Sequence, residues 1–181
     1  MEDIREAERR ADNAQKAEEA ANLLFPGEKW IAVEEGIYLS PRRPIGKNSN
    51  YKDELRDAQI LRDLGSTVYL APESSRQAGK KYDAIVTGMK FEFKNIEGNA
   101  NTLEIQFLRS RSQAPNAFIN AEKSNLTRQE IMSTLYGARN KPETETSRGY
   151  AHYNRFEAGR IILKIKGEKS LIYINVDDLK R

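Results

Sequence analysis

Residues 82–94 read YDAIVTGMKFEFK, and their pattern decides the fold. An apolar stretch from Asp83 to Thr87 meets a corner at Thr87-Gly88, and Met89–Lys94 returns with polar and apolar residues in alternation. That is the pattern of a β-hairpin with a tight turn. Strand side chains alternate between faces, so Phe91 and Phe93 share one face and Lys90, Glu92 and Lys94 the other. Asp83, Glu92 nine residues later and Lys94 two further on are thereby expected at one end of the hairpin.

Working outward, Thr67–Ala71 (TVYLA) is a short apolar strand and Ser74–Lys81 a polar loop. Tyr51–Leu64 has helical spacing, with Tyr51, Leu55, Ala58, Leu61 and Leu64 on one stripe and Gly65 as its stop. Glu54 lies at the edge of that stripe, where an acid also suits the first turn of a helix. Before it, Trp30–Ser40 reads as one strand and Pro41–Asn50 (PRRPIGKNSN) as a loop. Glu2–Leu24 is rich in Ala, Glu, Arg and Lys, free of Gly and Pro, and helical. Its large apolar residues are only Ile4, Leu23 and Leu24, so residues 1–28 are expected to form a linker or docking helix ahead of a main domain at 29–181.

Downstream, Gly98–Asn101 is a turn, and Thr102–Ser112 is compatible with helix or strand. Ala117–Ala121 reads as a strand. Leu126–Leu135 reads as a helix opened by a capping box between Thr127 and Glu130. Gly137–Gly149 is expected as a polar loop. Arg160–Lys166 and Ser170–Val176 form a second hairpin around Gly167-Glu168. This order predicts an α/β (α+β) domain with a central mixed β-sheet flanked by helices and preceded by an N-terminal helix.

Composition narrows the chemistry. Cysteine is absent, which excludes disulfides, a catalytic thiol and thiolate metal sites. His152 is the single histidine, so a multi-histidine zinc site is excluded as well. No apolar run is long enough to cross a bilayer, and the charged opening MEDIREAERR does not read as a signal peptide. The net charge of +3 divides into −3 over residues 1–25 and +6 over the remainder, a basic body that suits a polyanionic partner. Two carboxylates and a fixed ammonium are what metal-assisted attack of water on a phosphodiester needs, with a magnesium ion on Asp83 and Glu92. They also suit a metal-independent route, in which a carboxylate acts as base and Lys or Arg holds the phosphate.

A helix carrying Glu54, a buried strand, then Asp83 and Glu92-Phe93-Lys94 on a hairpin, then a basic segment, resembles the PD-(D/E)xK nuclease superfamily. Tyr82 stands where the strict motif has proline. From roughly Gly36 to Val176 the stretches VYLAPE, YDAIVTG, FEFK and RSRSQAPNAFIN are similar to the C-terminal tRNase domains of bacterial contact-dependent growth inhibition toxins. The resemblance implies a toxin nuclease that cuts tRNA in a target bacterium and is blocked by a cognate immunity protein. It would be delivered from the surface, or secreted, as part of a larger protein, and act in the target-cell cytoplasm without inserting in a membrane. Carried over residue by residue, it implies Glu54, Asp83, Glu92 and Lys94 as catalytic residues, and Arg109, Arg111 and Gln113 as contacts to substrate.

Three alternatives stay open on the residues alone. One is a metal-independent RNase of the barnase/EndoU/colicin-like class using His152, beside Arg148 and Arg155. Another is a DNase of the same fold. The last is a non-catalytic nucleic-acid- or partner-binding module, although carboxylates repel phosphate and such a module has no need of them.

Overall fold

The computed structural model describes residues 2–46, 50–72, 82–141 and 158–179. The chain divides into two compact units, Met1–Phe91 and Glu92–Arg181. Among the described residues there are four α-helices and eight strands, in the mixed arrangement expected.

In the first unit, α1 (Glu2–Leu24) precedes β1 (Ile31–Glu34), β2 (Ile37–Leu39), α2 (Tyr51–Asp63), β3 (Val68–Leu70), β4 (Ala84–Val86) and the opening of β5 (Met89–Asn95). The strands lie side by side in chain order. β2 and β3 run parallel, with α2 as their crossover, and the other neighbours are antiparallel. The single strand expected over 30–40 is two strands, because Gly36 turns the chain at φ +75 and folds Ile37–Leu39 back on Ile31–Glu34. The 82–94 hairpin forms as read. Its corner residues Thr87 and Gly88 both take positive φ (46 and 81), which suits the twist of a two-residue hairpin turn.

α1 packs mainly through small residues, with Leu24 at its end as the large apolar side chain against the same cluster. Ala17 and Ala21 are fully buried against Tyr69 and Ile85, beside Phe25, Trp30, Tyr38 and Tyr82. Alanine lets the helix approach closely: a Cβ on Gly88 would already stand 3.2 Å from the Lys16 carbonyl oxygen. The aromatic rings beneath make edge and stacked contacts, Trp30 with Tyr69 at 5.1 Å and Tyr38 with Tyr69 at 4.5 Å. Burial pushes the Tyr69 and Tyr82 phenols up to about 12.

In the second unit, the rest of β5 is followed by α3 (Ala100–Gln113), β6 (Asn116–Ala121), α4 (Arg128–Asn140), β7 (Arg160–Ile165), β8 (Ile172–Asn175) and a closing 3-10 turn (Val176–Leu179). The strand order is β5-β6-β7-β8, with β6 and β7 parallel and β7 and β8 antiparallel. The ambiguous stretch from Thr102 is helix, capped by the Asn99 side chain, which accepts from the Thr102 amide. α4 opens with the expected capping box of Thr127 and Glu130, but it continues through Gly137 to Asn140. The buried neighbours Leu135 and Ala138 hold that turn despite the roughly 0.5–1 kcal/mol that glycine costs inside a helix.

The core of this unit is aliphatic. Ala117, Ile119 and Ala121 of β6 and Ile161, Leu163 and Ile165 of β7 meet Leu103, Phe107, Ile131 and Leu135 of the two helices. Each fully buried Leu, Ile or Phe among them contributes roughly 1.5–3 kcal/mol. At the start of β7 the backbone comes close to the α3–β6 connection. A Cβ on Gly159 would stand 1.8 Å from the Pro115 carbonyl oxygen, and the Gly159 carbonyl accepts from the Val176 amide at 2.8 Å.

Candidate active site

The first unit builds its site around Arg43, a residue the sequence reading left inside a loop. Two backbone bonds close that loop, from the Ser40 amide to the Leu70 carbonyl at 3.1 Å and from the Arg43 amide to the Ser40 carbonyl at 3.0 Å. Consecutive arginines then go opposite ways. Arg42 points out to Glu28, which also accepts from the Ser40 hydroxyl at 2.6 Å. Burial works upward on the Glu28 carboxyl, but these donors outweigh it and hold the group below the usual carboxylate range. Arg43 points inward, with its side chain 1% exposed.

There the Arg43 guanidinium donates through Nε and Nη2 to Glu54 Oε2, the former at 3.1 Å. Nη1 donates to the Ala71 carbonyl and, at 3.2 Å, to the Asp83 carbonyl. Nη2 also lies 3.8 Å from Asp83 Oδ1. One side chain thereby ties the β2–α2 loop, α2, the end of β3 and the start of β4. The Asp83 backbone is fixed from two further directions, since its amide donates to Phe91 and its carbonyl accepts from the Ala71 amide.

The buried face of α2 is rotated from the expected stripe. Glu54, Asp57, Ala58 and Leu61 are buried, Tyr51 and Leu55 are half-buried, and Leu64 is 46% exposed. Two acids occupy inward positions at i and i+3. Glu54 is placed there by the cation that meets it. Asp57, fully buried, was also missed by the sequence reading; its spacing from Glu54 was the available signal. For Arg43 the sequence carried no signal beyond an arginine doublet between two prolines.

Asp83 is the open side of the cluster, its side chain 23% exposed against 9% for Glu54. Tyr82, where the motif has proline, packs on Phe25 at 6.1 Å and lies under the Lys90 ammonium at 5.2 Å. A cleft of about 660 Å³ in this unit, lined by residues including Arg10, Tyr38, Arg62 and Thr67, contains none of these acids.

In the second unit, Glu92 and Lys94 share a face of β5, opposite the face on which Phe93 meets Phe118 at 5.9 Å. The Lys94 ammonium donates to Glu92 Oε1. Glu92 is 2% exposed, so the charged face of the hairpin is covered at this point. Arg109 is exposed and Gln113 half-buried, while Arg111 is fully buried and donates to the Pro115 carbonyl. His152, with Arg148 and Arg155, lies outside the described residues.

Magnesium is commonly held by one or two carboxylates, with water and substrate phosphate completing its oxygen shell. Among the described residues no group of three or more Asp, Glu or His side chains is placed to hold a metal ion. Glu54 and Asp83 share an internal guanidinium, and Glu92 holds an ammonium. As they stand, these carboxylates form ion pairs with Arg43 and Lys94.

No protein-family model matches the chain, and no curated protein is significantly similar to it. Among solved structures, a chain of the CdiA-CT/CdiI toxin and immunity complex from Burkholderia pseudomallei is similar in fold, with a TM-score of 0.50 at 18% identity. The match covers 75% of this chain and 97% of that one. At this identity the likeness establishes a shared fold.

Proposed function

We propose that this chain is a toxin domain of contact-dependent growth inhibition that cleaves RNA, with tRNA as its substrate. It is delivered as part of a larger protein, acts in the cytoplasm of a target bacterium, and is neutralised by a cognate immunity protein. The observation that carries this reading is the E-x-K stretch of β5. Glu92 is 2% exposed and is paired with Lys94 on the same strand face. Burying such a pair costs several kcal/mol of desolvation, which an ordinary surface hairpin does not bear. Support comes from the fold shared with a chain of a toxin and immunity complex, and from the basic excess of +6 beyond residue 25.

The residues proposed for the reaction are those of the motif read in the sequence, Glu54, Asp83, Glu92 and Lys94. Asp83, its side chain 23% exposed, accepts the proton of the ribose 2′-hydroxyl as the 2′-oxygen attacks phosphorus. The P–O5′ bond breaks, leaving a 2′,3′-cyclic phosphate and a 5′-hydroxyl that takes its proton from water. The ammonium of Lys94 counters the charge that develops on the phosphate oxygens. Glu92 holds that ammonium in place. Arg109, exposed at the end of α3, contacts the phosphate backbone, so affinity falls as salt rises. An acidic immunity protein covers the same basic surface.

The test is incubation of the purified chain with bacterial tRNA and with plasmid DNA, in magnesium and in EDTA. Wild type, Glu92→Ala and His152→Ala are compared. Cleavage of tRNA that disappears with Glu92→Ala and survives His152→Ala is the expected result. Loss with His152→Ala alone transfers the chemistry to the histidine, and intact nucleic acid in every lane removes the enzyme altogether.

A further inference from the structure

We infer that Arg43 is the resident cation of the Glu54–Asp83 cluster, a built-in guanidinium standing where a divalent metal would be held, so that the cluster takes no metal. The geometry is that of a cation site already filled. Nε and Nη2 meet Glu54 Oε2, Nη2 lies 3.8 Å from Asp83 Oδ1, and Nη1 takes the Ala71 and Asp83 carbonyl oxygens. The carboxylate and backbone carbonyl oxygens gathered around the guanidinium are also of the type that a hard divalent cation takes. Here the point is occupied by a planar group with five N–H donors, which cannot lose its charge near neutrality. At 1% side-chain exposure it has no path to swing into solvent without opening the β2–α2 loop.

Two consequences follow. Arg43 is a positioning residue: it holds Glu54 within α2 and fixes the Asp83 backbone, while the Asp83 carboxylate, its side chain 23% exposed, carries the proposed proton transfer. RNA cleavage by the proposed site then continues in EDTA. The inference rests on the proposed function only for that second consequence, because cation binding can be measured with no substrate present.

The experiment uses the whole chain and Mn2+ as probe, read by the loss of its free-ion electron paramagnetic resonance signal. Wild type, Arg43→Ala, the double variant Arg43→Ala/Asp83→Asn, Asp83→Asn and Glu54→Gln are compared. Wild type is expected to take up no Mn2+ below millimolar concentration. Arg43→Ala is expected to bind one Mn2+ at least tenfold more tightly than wild type, and the double variant to lose it. Wild type that binds one Mn2+ and loses it with Asp83→Asn or Glu54→Gln overturns the inference, as does a folded Arg43→Ala that binds none. Should Arg43→Ala not fold, the wild type decides alone: uptake abolished by Glu54→Gln overturns the inference, and no uptake supports it. A chain that cleaves no RNA yet behaves as expected toward Mn2+ separates failure of the proposed function from failure of this inference.

Discussion

Both units have apolar cores, but they bury different charged groups beside them. The first places Arg43, Glu54 and Asp57 inside, beside a set of aromatic rings under an alanine-faced helix. The second encloses Leu, Ile and Phe from two helices and three strands, and its buried Arg111 is directed to a backbone carbonyl. Hydrocarbon packing supplies stability in proportion to area and tolerates rearrangement. An ion cluster contributes little net stability but fixes several backbone points at once. The difference teaches that the first unit adds to its apolar core a charged cluster that fixes backbone points, and the aspartate it places has its side chain 23% exposed.

That contrast can be broken deliberately. The largest expected effect is on reactivity: Glu92→Gln keeps the shape of the β5 side chain and is expected to lower RNA cleavage about 10²- to 10⁴-fold, as removal of an acid–base or charge-holding group does. Quantified tRNA cleavage with an unchanged circular dichroism spectrum checks it. Next comes the hydrocarbon side. Leu135→Ala removes a fully buried side chain of the second unit and is expected to cost about 2–5 kcal/mol in urea unfolding, with no recovery from a second substitution elsewhere in the core.

The ion cluster should behave otherwise. Arg43→Met alone leaves Glu54 without its cation and is expected to cost about 3–5 kcal/mol, whereas Arg43→Met/Glu54→Leu should recover much of that loss. A double variant no more stable than the single one would mean that the cluster is held by more than its charges. The smallest effect sharpens the contrast through pH. Tyr69 and Tyr82 ionise near 12 when folded and near the ordinary 10 when unfolded. The unfolded state therefore releases protons first. Stability is full below pH 10 and falls as pH rises from 10 toward 12. Tyrosinate absorbance should show Tyr69 and Tyr82 titrating late, and Tyr69→Phe should shift the alkaline unfolding upward.

Much of this was written in local pattern. The 82–94 hairpin, α1, α2 with its Gly65 stop, the Thr127–Glu130 capping box and the final hairpin all follow from periodicity and turn chemistry, which act over a few residues. The division of 30–40 into two strands was hidden because Gly36 lies between two apolar runs that read as one. α4 passes Gly137 because Leu135 and Ala138 are held by the core, a tertiary effect that propensity does not contain. In the site, Glu54, Asp83, Glu92 and Lys94 were legible as residue types at motif spacing. Arg43 was not, since its partners come from α2 and from the ends of β3 and β4, and no local rule joins a loop arginine to them. Arg111 reads as a surface cation in sequence and is buried in the structure, because Pro115 turns its carbonyl toward the guanidinium.

The close approach at Gly159 carries a consequence of another kind. With the Pro115 oxygen 1.8 Å from where any Cβ would stand, even alanine forces two backbone segments apart. In a saturation library sorted for folded protein, this position has an alphabet of one letter. As copies of the chain drift, residue 159 is the fixed post from which insertions and deletions on either side can be measured.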